Sequence, residues 1–378
     1  MTVGVAILGS TGSIGSTTIR VLERLKDRFA IVALTAYGSE GMLRKQAAAV
    51  RAKYVGLVNG ESGSGRSAAG LSVGRRCLID AATHPEVDIV VNAVVGAAGL
   101  EATVAALSAG KRVALANKES LVMAGDLVLE TARIGGGEVV PVDSEHSAVL
   151  QCLAGHASGE LCRLILTASG GPFREWPKER VEMATVADAL QHPTWQMGRK
   201  ITVDSATLAN KALEVIEAHH LFGVGYESID VVVHPQSIVH AFAEFVDGSV
   251  LAQVGFPTME LPILYALTYP ARVEDSRVPR FDPIRASPLT FEPIRLDDFP
   301  TFSLGVGAGR AGGTAPAVFN AANEVAVDAF LRGRIAFGGI PAAIDSVMQD
   351  HTVLPARDLA TVLEADRWAR ERTEVACS

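Results

Sequence analysis

Two carboxylates flank a single serine in the stretch PVDSEHSAVL, residues 141–150, which directly follows the apolar run EVV. In a β-strand, side chains two positions apart face the same way, so Asp143 and Glu145 would point together. Two like charges aimed at one place repel each other unless a positive group lies between them. A divalent cation would satisfy this arrangement, and so would a helix N-terminus with Ser144 as its cap. These residues alone leave both interpretations open.

A third carboxylate, Glu214, lies in a segment that predicts one helix over residues 203–223, VDSATLANKALEVIEAHHLFG, ending at Gly223. At about 100° per residue, three of its polar residues fall within one arc. That arc carries Asn210, Lys211 and Glu214. The opposite side carries the apolar residues Leu208, Ala212, Leu213, Val215 and Ile216. With Asp143 and Glu145, Glu214 would complete an oxygen-only site suited to Mg²⁺ or Mn²⁺, whereas the alternative is an ordinary solvated helix face.

Two further stretches supply hydrogen-bond donors. TASGGPF, residues 167–173, ends a predicted strand with Ser169 beside two glycines, in a loop whose backbone could approach an anion. DALQHPTWQMGRK, residues 188–200, places His192 and Trp195 among prolines and a glycine. We interpret this second stretch as a lid that excludes water, with a Trp packed under a static loop as the alternative.

A glycine-rich turn follows the first predicted strand, VGVAIL, residues 3–8. In GSTGSIG the glycines recur at every third position, so the turn is a GxxGxxG relative of the GxGxxG dinucleotide fingerprint. Glycines allow a close approach to a pyrophosphate, and the N–H groups of residues 11–14 at a helix N-terminus supply positive potential. The second predicted strand ends in AYGSE, residues 36–40, which leaves room for a ribose 2′-phosphate and favours NADP, although Glu40 follows closely.

At least two kinds of domain must position these residues. Short apolar strands alternate with helices through the first 143 residues, which predicts an α/β region with a Rossmann-like, doubly wound parallel sheet. Later strand patterns predict a central α+β domain with a mixed sheet, and the end of the chain has helical periodicity. The expected parts are 1–143, 144–269 with the lid near 188–200, a Pro-rich linker at 270–293, and a helical domain at 294–378.

Composition narrows the classes of partner. The 378 residues carry a net charge of −8, which disfavours nucleic acid, so any bound phosphate must be held by local donors. The apolar stretches fall short of the ~20 residues that span a membrane. The first residues enter a strand without the features of a signal or transit peptide, which predicts a cytoplasmic protein. The Gly/Ser-rich stretch GESGSGRSAAG, residues 60–70, predicts a surface loop.

Several motifs together resemble the 1-deoxy-D-xylulose 5-phosphate reductoisomerase family, and they follow one another through all the predicted domains. The motifs are GSTGSIG, ALANKESLVMAG, PVDSEHSA, TASGGPF, HPTWQMGRKITVDSATLANKALEVIEA, HPQSIVH and GGTAPAVFNAANEVAV. The resemblance implies an NADPH-dependent enzyme that isomerises and reduces this sugar phosphate to 2-C-methyl-D-erythritol 4-phosphate in non-mevalonate isoprenoid synthesis. It also implies a divalent cation (Mg²⁺, Mn²⁺ or Co²⁺) and a homodimer.

The resemblance assigns functions to individual residues. The metal ligands would be Asp143, Glu145 and Glu214, which form the catalytic set with Lys118. The substrate would contact Lys118, Ser144, Glu145, Ser169, His192, Trp195, Ser205, Asn210, Lys211 and Glu214. The cofactor would contact Thr11, Gly12, Ser13, Ile14, Gly38, Ser39, Asn117, Glu119 and Gly198. Many members of the family have an Asn, often with a basic neighbour, after the second strand, and AYGSE has neither.

Two other functions are compatible with parts of the pattern. A metal-independent NAD(P) dehydrogenase of the semialdehyde or sugar type would need its own catalytic Cys or Lys–His arrangement and would stay active in EDTA. A non-catalytic nucleotide-binding sensor would keep the fold without turnover. The carboxylates Asp143, Glu145 and Glu214, together with Lys118, argue against the sensor.

Overall fold

The computed structural model describes residues 2–59, 65–66 and 70–378. Most of the predicted surface loop at 60–70 therefore lies outside the described residues. The chain divides into two compact units. The first unit comprises Met1–Ser120, Val128–Ser147 and Thr258–Val278, and the second comprises Leu121–Leu127, Ala148–Pro257 and Pro279–Ser378. This division is coarser than the predicted domains, whose boundaries stay a prediction.

A doubly wound sheet organises the first unit. Its strands are β1 (Val3–Leu8), β2 (Phe29–Ala36), β3 (Tyr54–Leu57), β4 (Gly65–Arg66), β5 (Ser72–Val73), β6 (Ile89–Asn92), β7 (Arg112–Leu115) and β8 (Glu138–Pro141). The spatial order is β4-β5-β3-β2-β1-β6-β7-β8, and every pairing is parallel except that of β4 with β5. Strands buried on both faces explain the continuous apolar runs in the sequence. The predicted Rossmann-like sheet is confirmed, with its order reversing between β1 and β6.

Helices connect these strands and make up most of the rest of the described chain. In chain order they are α1 (Ser13–Arg24), α2 (Glu40–Val50), α3 (Arg76–Ala82), α4 (Leu100–Ser108), α5 (Glu119–Gly135), α6 (Ser144–Cys152), α7 (Lys178–Glu182), α8 (Val186–Ala189), α9 (Arg199–Ala206), α10 (Ala209–Phe222), α11 (Glu260–Thr268), α12 (Pro283–Ala286), α13 (Pro300–Ala311), α14 (Ala315–Leu331), α15 (Gly339–Asp350) and α16 (Leu359–Ala376). Among the described residues, no helix combines the length and apolar character that crossing a membrane requires.

An ion-pair cluster ties the segment 258–278, which includes α11, into the first unit. Arg24, at the last turn of α1, pairs with Glu260 at 2.7 Å and with Asp275 at 2.6 Å. A cation at this place also interacts favourably with the carboxyl end of the helix dipole. The charges therefore hold α11 against α1, although more than 200 residues separate them in sequence.

A smaller mixed sheet lies in the second unit. Its strands are β9 (Leu161–Ala168), β10 (Ile229–Val233), β11 (Val239–Phe245) and β12 (Val250–Val254), in the order β10-β9-β11-β12. β9 pairs parallel with β10 and antiparallel with β11, and β11 pairs antiparallel with β12. The predicted mixed sheet is confirmed.

The C-terminal helices pack around α14. The side chains of this Ala-rich helix are buried along almost its whole length, and it packs against α13, α15 and α16. The apolar cluster that results also includes residues of α9 and α10, such as Val203 and Leu213. The predicted helical C-terminal region is confirmed, and its core continues under the helices that carry candidate site residues.

Candidate active site

The glycine turn between β1 and α1 brings backbone groups close to any ligand at the carboxyl end of β1. Gly9 has a φ of +81°, a conformation that favours glycine. A Cβ on Gly15 would lie 2.3 Å from the Gly9 carbonyl oxygen, so α1 packs directly on the turn. The predicted cofactor residues in this turn and in the first turn of α1 are Thr11, Gly12, Ser13 and Ile14. The N–H of Gly12 donates to the Gly9 carbonyl at 3.1 Å, and the other N–H groups at this helix start, with the helix dipole, fit a pyrophosphate.

The loop between β2 and α2 is open to solvent. The predicted contacts Gly38 and Ser39 are exposed, and 71% of Tyr37 is exposed. Glu40, the first residue of α2, forms an ion pair with Arg44 at 2.7 Å. The Glu40 carboxylate therefore partly neutralises the positive charge of Arg44 even when no phosphate is bound.

Asn117 joins the loops that follow β6 and β7. Its amide nitrogen donates to the carbonyls of Val94 and Gly96 at 2.8 and 2.9 Å and to the Glu119 carboxylate at 2.9 Å. Asn117 is fully buried. Both predicted cofactor residues, Asn117 and Glu119, thus shape the carboxyl edge of the parallel sheet, where ligands of such sheets bind.

Neither of the two acids after β8 lies on a strand, which corrects the sequence interpretation. β8 ends at Pro141, and α6 begins at Ser144. Asp143 caps this helix, because its Oδ1 accepts a hydrogen bond from the N–H of Glu145 at 3.3 Å and its carbonyl accepts one from the N–H of Ser147. Unpaired N–H groups at a helix start favour an aspartate cap, so the cap is Asp143 and not Ser144.

Lys118 supplies a positive charge for Asp143. Its Nζ lies 2.6 Å from Asp143 Oδ2, and both side chains are largely buried. The Ser144 hydroxyl donates to the Glu145 carboxylate. His146, which the sequence analysis did not select, is fully buried with its Nδ1 3.2 Å from Asp143 Oδ1. The signal that could have identified it is its position three residues after Asp143, on the same face of a helix.

The segment predicted as one helix over 203–223 is two helices. α9 ends at Ala206 and α10 begins at Ala209, so the prediction of a continuous helix is wrong. Leu208 lies between them with a φ of +59°. A non-glycine residue in this conformation costs about 1–3 kcal/mol, and burial of the Leu208 side chain in the core offsets that cost. The predicted end at Gly223, with a φ of +64°, is correct.

The polar side of α10 is buried. Glu214 is 1% exposed and Lys211 is 4% exposed. The Glu214 carboxylate accepts hydrogen bonds from the Asn210 amide and the Lys211 ammonium. An ordinary solvated face would leave these groups in water, so that alternative is wrong. The cationic partner offsets the cost of burying the Glu214 carboxylate, and both of its oxygens accept hydrogen bonds inside the protein.

Ser169 and Ser205 belong to chain segments that pack closely. Gly171, two residues after Ser169, has a φ of +67°. A Cβ at this position would lie 2.7 Å from the Ser205 carbonyl oxygen, so only glycine permits the contact between this loop and α9. Four predicted substrate residues, Ser169, Ser205, Asn210 and Lys211, are named the phosphate-site residues, after the role that we propose for them below. All four lie in the second unit.

His192 fixes the direction of the Ser169 hydroxyl. Its Nδ1 accepts the N–H groups of Thr194 and Trp195 at 3.1 and 2.9 Å, so the ring proton lies on Nε2. Nε2 is 2.9 Å from Ser169 Oγ and therefore donates to it, as does the N–H of Gly171 at 3.2 Å. Burial lowers the pKa of His192 to about 4, which keeps the ring neutral. With two donors on its oxygen, Ser169 has its own hydrogen left for an anion.

The predicted lid is an irregular segment between α8 and α9. Trp195 is half-buried, and its backbone is held by His192. Gly198 is exposed and precedes the first residue of α9. The hydrogen bond between His192 and Ser169 therefore connects this segment to the phosphate-site residues.

Three family models match the chain. The model for 1-deoxy-D-xylulose 5-phosphate reductoisomerase matches residues 5–125, and that for its C-terminal domain matches residues 139–222. A model for the DXP reductoisomerase C-terminal domain matches residues 254–372. The three matches cover most of the chain in order.

Relatives with this name match over nearly their full length. The 1-deoxy-D-xylulose 5-phosphate reductoisomerase of Pelotomaculum thermopropionicum is 51% identical over 373 residues, which cover 97% of this chain and 96% of the relative. That of Halothermothrix orenii is 48% identical over 375 residues, covering 97% of each.

Solved structures match as completely. The Zymomonas mobilis enzyme in complex with NADPH is 38% identical, covers 100% of both chains and has a TM-score of 0.90. A DOX-P reductoisomerase in complex with NADPH, fosmidomycin and magnesium is 38% identical, with a TM-score of 0.93 over 99% of this chain and 98% of the other.

Proposed function

The chain belongs to the 1-deoxy-D-xylulose 5-phosphate reductoisomerase family, and from that membership we propose how its own residues divide the work of the reaction. The enzyme converts 1-deoxy-D-xylulose 5-phosphate to 2-C-methyl-D-erythritol 4-phosphate, with NADPH as reductant and a divalent cation. Three tasks follow from this chemistry: holding the cation, holding the substrate phosphate, and holding the dinucleotide beside the reacting carbons.

Asp143, Glu145 and Glu214 would hold the cation. Their carboxylate oxygens are the hard donors that Mg²⁺ and Mn²⁺ prefer. Supporting this assignment, all three side chains are buried or half-buried, and cationic partners meet two of them: Lys118 at Asp143 and Lys211 at Glu214. The bound cation supplies Lewis acidity toward the ketone and a neighbouring hydroxyl of the substrate.

Lys118 would add positive charge near the reacting oxygens. Its ammonium is held by Asp143, which in turn is fixed as the cap of α6. A charge that is already oriented needs no rearrangement when negative charge develops in the reaction.

The observation that carries the phosphate assignment is the hydrogen-bond arrangement at Ser169. Its oxygen accepts from His192 and Gly171, which leaves the hydroxyl hydrogen to donate to a phosphate oxygen. Ser205, Asn210 and the ammonium of Lys211 would complete this set of donors. The phosphate lies away from the reacting carbons, so its binding energy can orient the substrate and favour ordering of the lid around His192 and Trp195.

NADPH would bind at the glycine turn, with its pyrophosphate on the backbone of Thr11–Ile14 and its adenosine end near Gly38 and Ser39. The close packing of Gly15 on Gly9 supports this assignment, because a side chain there would displace the turn. Asn117 and Glu119 would act at the nicotinamide end by shaping the edge of the sheet. Gly198 would contact the cofactor from the lid.

We also propose a homodimer that pairs along β12. The opposite outer strand, β10, is covered by the predicted Pro-rich linker at 270–293, since Val233 and Glu292 exchange backbone hydrogen bonds of 2.8 and 2.9 Å. β12 instead exposes Val250 and Leu251, which are 48% and 42% exposed. An apolar outer strand favours pairing with an identical strand.

We also propose a cytoplasmic location, because NADPH is regenerated in the cytoplasm of bacteria, the source of the relatives.

The direct test follows NADPH absorbance with 1-deoxy-D-xylulose 5-phosphate as substrate. We expect oxidation of NADPH with Mg²⁺ or Mn²⁺ and loss of activity after chelation with EDTA. Activity that persists in demetallated protein would support the metal-independent dehydrogenase instead. Failure to turn over any sugar phosphate, with NADPH binding retained, would support the sensor.

A further inference from the structure

Helix α9, which carries Ser205, is too short to set its own orientation. It has eight residues, including the β-branched Thr202 and Val203. Isolated helices shorter than about 12 residues are marginal in water, and β-branched residues lower helix propensity further. The direction of the Ser205 side chain must therefore be set by contacts with other elements of the second unit.

Asp204 provides one of these contacts. This residue precedes Ser205 and is 1% exposed. Its Oδ1 accepts a hydrogen bond of 2.8 Å from Asn323 Nδ2, and its Oδ2 pairs with Lys200 Nζ at 2.7 Å. A buried carboxylate is costly unless its lone pairs are satisfied, so Asp204 is confined to the direction of these two partners.

Asn323 brings this contact from α14, at the centre of the helical core. It is fully buried. Because a carboxylate only accepts hydrogen bonds, the amide must present its nitrogen to Asp204. Among the described residues the amide oxygen of Asn323 has no hydrogen-bond partner. The hydrogen bond to Asp204 is therefore the contribution of the buried Asn323 amide to the orientation of α9.

Glu324, the next residue of α14, extends the network. It pairs with Arg370 of α16 at 2.7 Å and accepts a hydrogen bond from Asn320 at 2.9 Å. Burial alone would raise the pKa of Glu324, but the charges of Lys200 and Arg370 bring the pKa below its usual value. The ionised carboxylate attracts Lys200, which lies at the end of the lid and in the first turn of α9.

We propose that Asn323 and Asp204 are positioning residues whose hydrogen bond holds α9 in the rotation that directs the Ser205 hydroxyl at the substrate phosphate. Successive residues are about 100° apart around a helix, so fixing Asp204 toward α14 also fixes Ser205. The close packing of Gly171 on the Ser205 carbonyl is a second contact that restrains the same helix. This inference rests on the proposed function, which assigns Ser205 to the phosphate.

The test compares Asn323→Ala with Asn320→Ala. Asn320 is a matched control, since it is a fully buried amide one helical turn earlier and bonds to Glu324 instead of Asp204. For Asn323→Ala we expect the KM for 1-deoxy-D-xylulose 5-phosphate and the inhibition constant of inorganic phosphate to rise about tenfold, with kcat changed less than about threefold. For Asn320→Ala we expect the Tm to fall and both phosphate-dependent constants to stay within about twofold.

Equal KM values and equal phosphate inhibition constants for the two variants, in an enzyme whose wild type turns over, would overturn the inference. If Asn323→Ala does not fold, Asn323→Leu compared with Asn320→Leu decides by the same criterion, because leucine fills the volume of the amide but cannot donate to Asp204. A wild type that neither turns over the substrate nor is inhibited by phosphate would instead refute the proposed function.

Discussion

The phosphate-site residues of the second unit and the glycine turn of the first unit are both suited to phosphate groups, but they are built differently. At the phosphate site the donors are side chains, and neighbouring side chains fix them: Ser169 by His192, and Lys211 by Glu214. At the glycine turn the donors are backbone N–H groups, and Gly12 and Ser13 are exposed. Side-chain donors can be removed one at a time, whereas backbone donors survive most substitutions. The difference therefore predicts where mutations will matter.

The largest effect is expected for Glu214→Gln. The substitution removes a charged oxygen donor from a side chain that is 1% exposed. Loss of a residue that only supports a metal ligand lowers metal affinity or activity by up to about a hundredfold. Because Glu214 would be a ligand itself, metal affinity and kcat at limiting Mg²⁺ should fall by more than this. NADPH binding, measured by fluorescence titration, should stay close to wild type because the glycine turn is unchanged. Turnover equal to wild type at limiting Mg²⁺ would remove Glu214 from the metal site.

The same substitution placed in both regions tests the comparison itself. Ser169→Ala should raise the KM for the sugar phosphate about tenfold or more, since a hydrogen bond to a charged group is worth about 1.5–3 kcal/mol. Ser13→Ala should change the KM for NADPH by less than about threefold, because its N–H group remains. Steady-state kinetics on both variants give the two ratios. A larger effect for Ser13→Ala would contradict the proposed difference between the regions.

A third effect is expected in the pH dependence of His192. Its folded-state pKa of about 4 lies below the ordinary value of 6.5. The neutral ring therefore contributes stability that is present above pH 6.5 and is lost as the pH falls toward 4. Titration of ¹⁵N-labelled histidine should show a proton on Nε2 and no ionisation of this ring down to about pH 5.

The control for this titration is His192→Asn. Its unfolding midpoint in urea should depend less on pH between 7 and 4.5 than that of the wild type. A neutral ring with its proton on Nδ1 would refute the assigned direction of the Ser169 hydrogen bond, and a measured pKa above 6 would refute the effect of burial on His192.

The smallest effect is expected at the open loop after β2. Glu40→Gln should release Arg44 from its ion pair and raise the kcat/KM ratio of NADPH over NADH a few-fold, because exposed ion pairs are worth about 0.2–1 kcal/mol. Arg44→Gln should lower the same ratio. Binding of 2′,5′-ADP and of AMP by calorimetry checks both variants without turnover. Unchanged ratios in both would show that this pair does not contribute to cofactor choice.

Much of the fold could be predicted because its signals are local. The apolar runs of β1, β2 and β6 predicted a parallel sheet, and the glycines at 9, 12 and 15 predicted its phosphate turn. The resemblance of the motifs to the family predicted the identity of the substrate and of the cofactor. The helix break at Leu208 could not be predicted, because its left-handed backbone is stabilised by a core that forms from distant segments. The cap at Asp143 was missed for a related reason, since the end of β8 depends on its pairing with β7.

The sequence by itself determined which residue types face the same way on α10 and where that helix stops, since periodicity and a terminal glycine act over a few residues. Only the tertiary structure decided that the polar face is buried, that His192 donates to Ser169, and that Asp204 is bound by Asn323, 119 positions along the chain. Partners of this kind are chosen by packing, and no local pattern encodes which distant group will satisfy a buried charge.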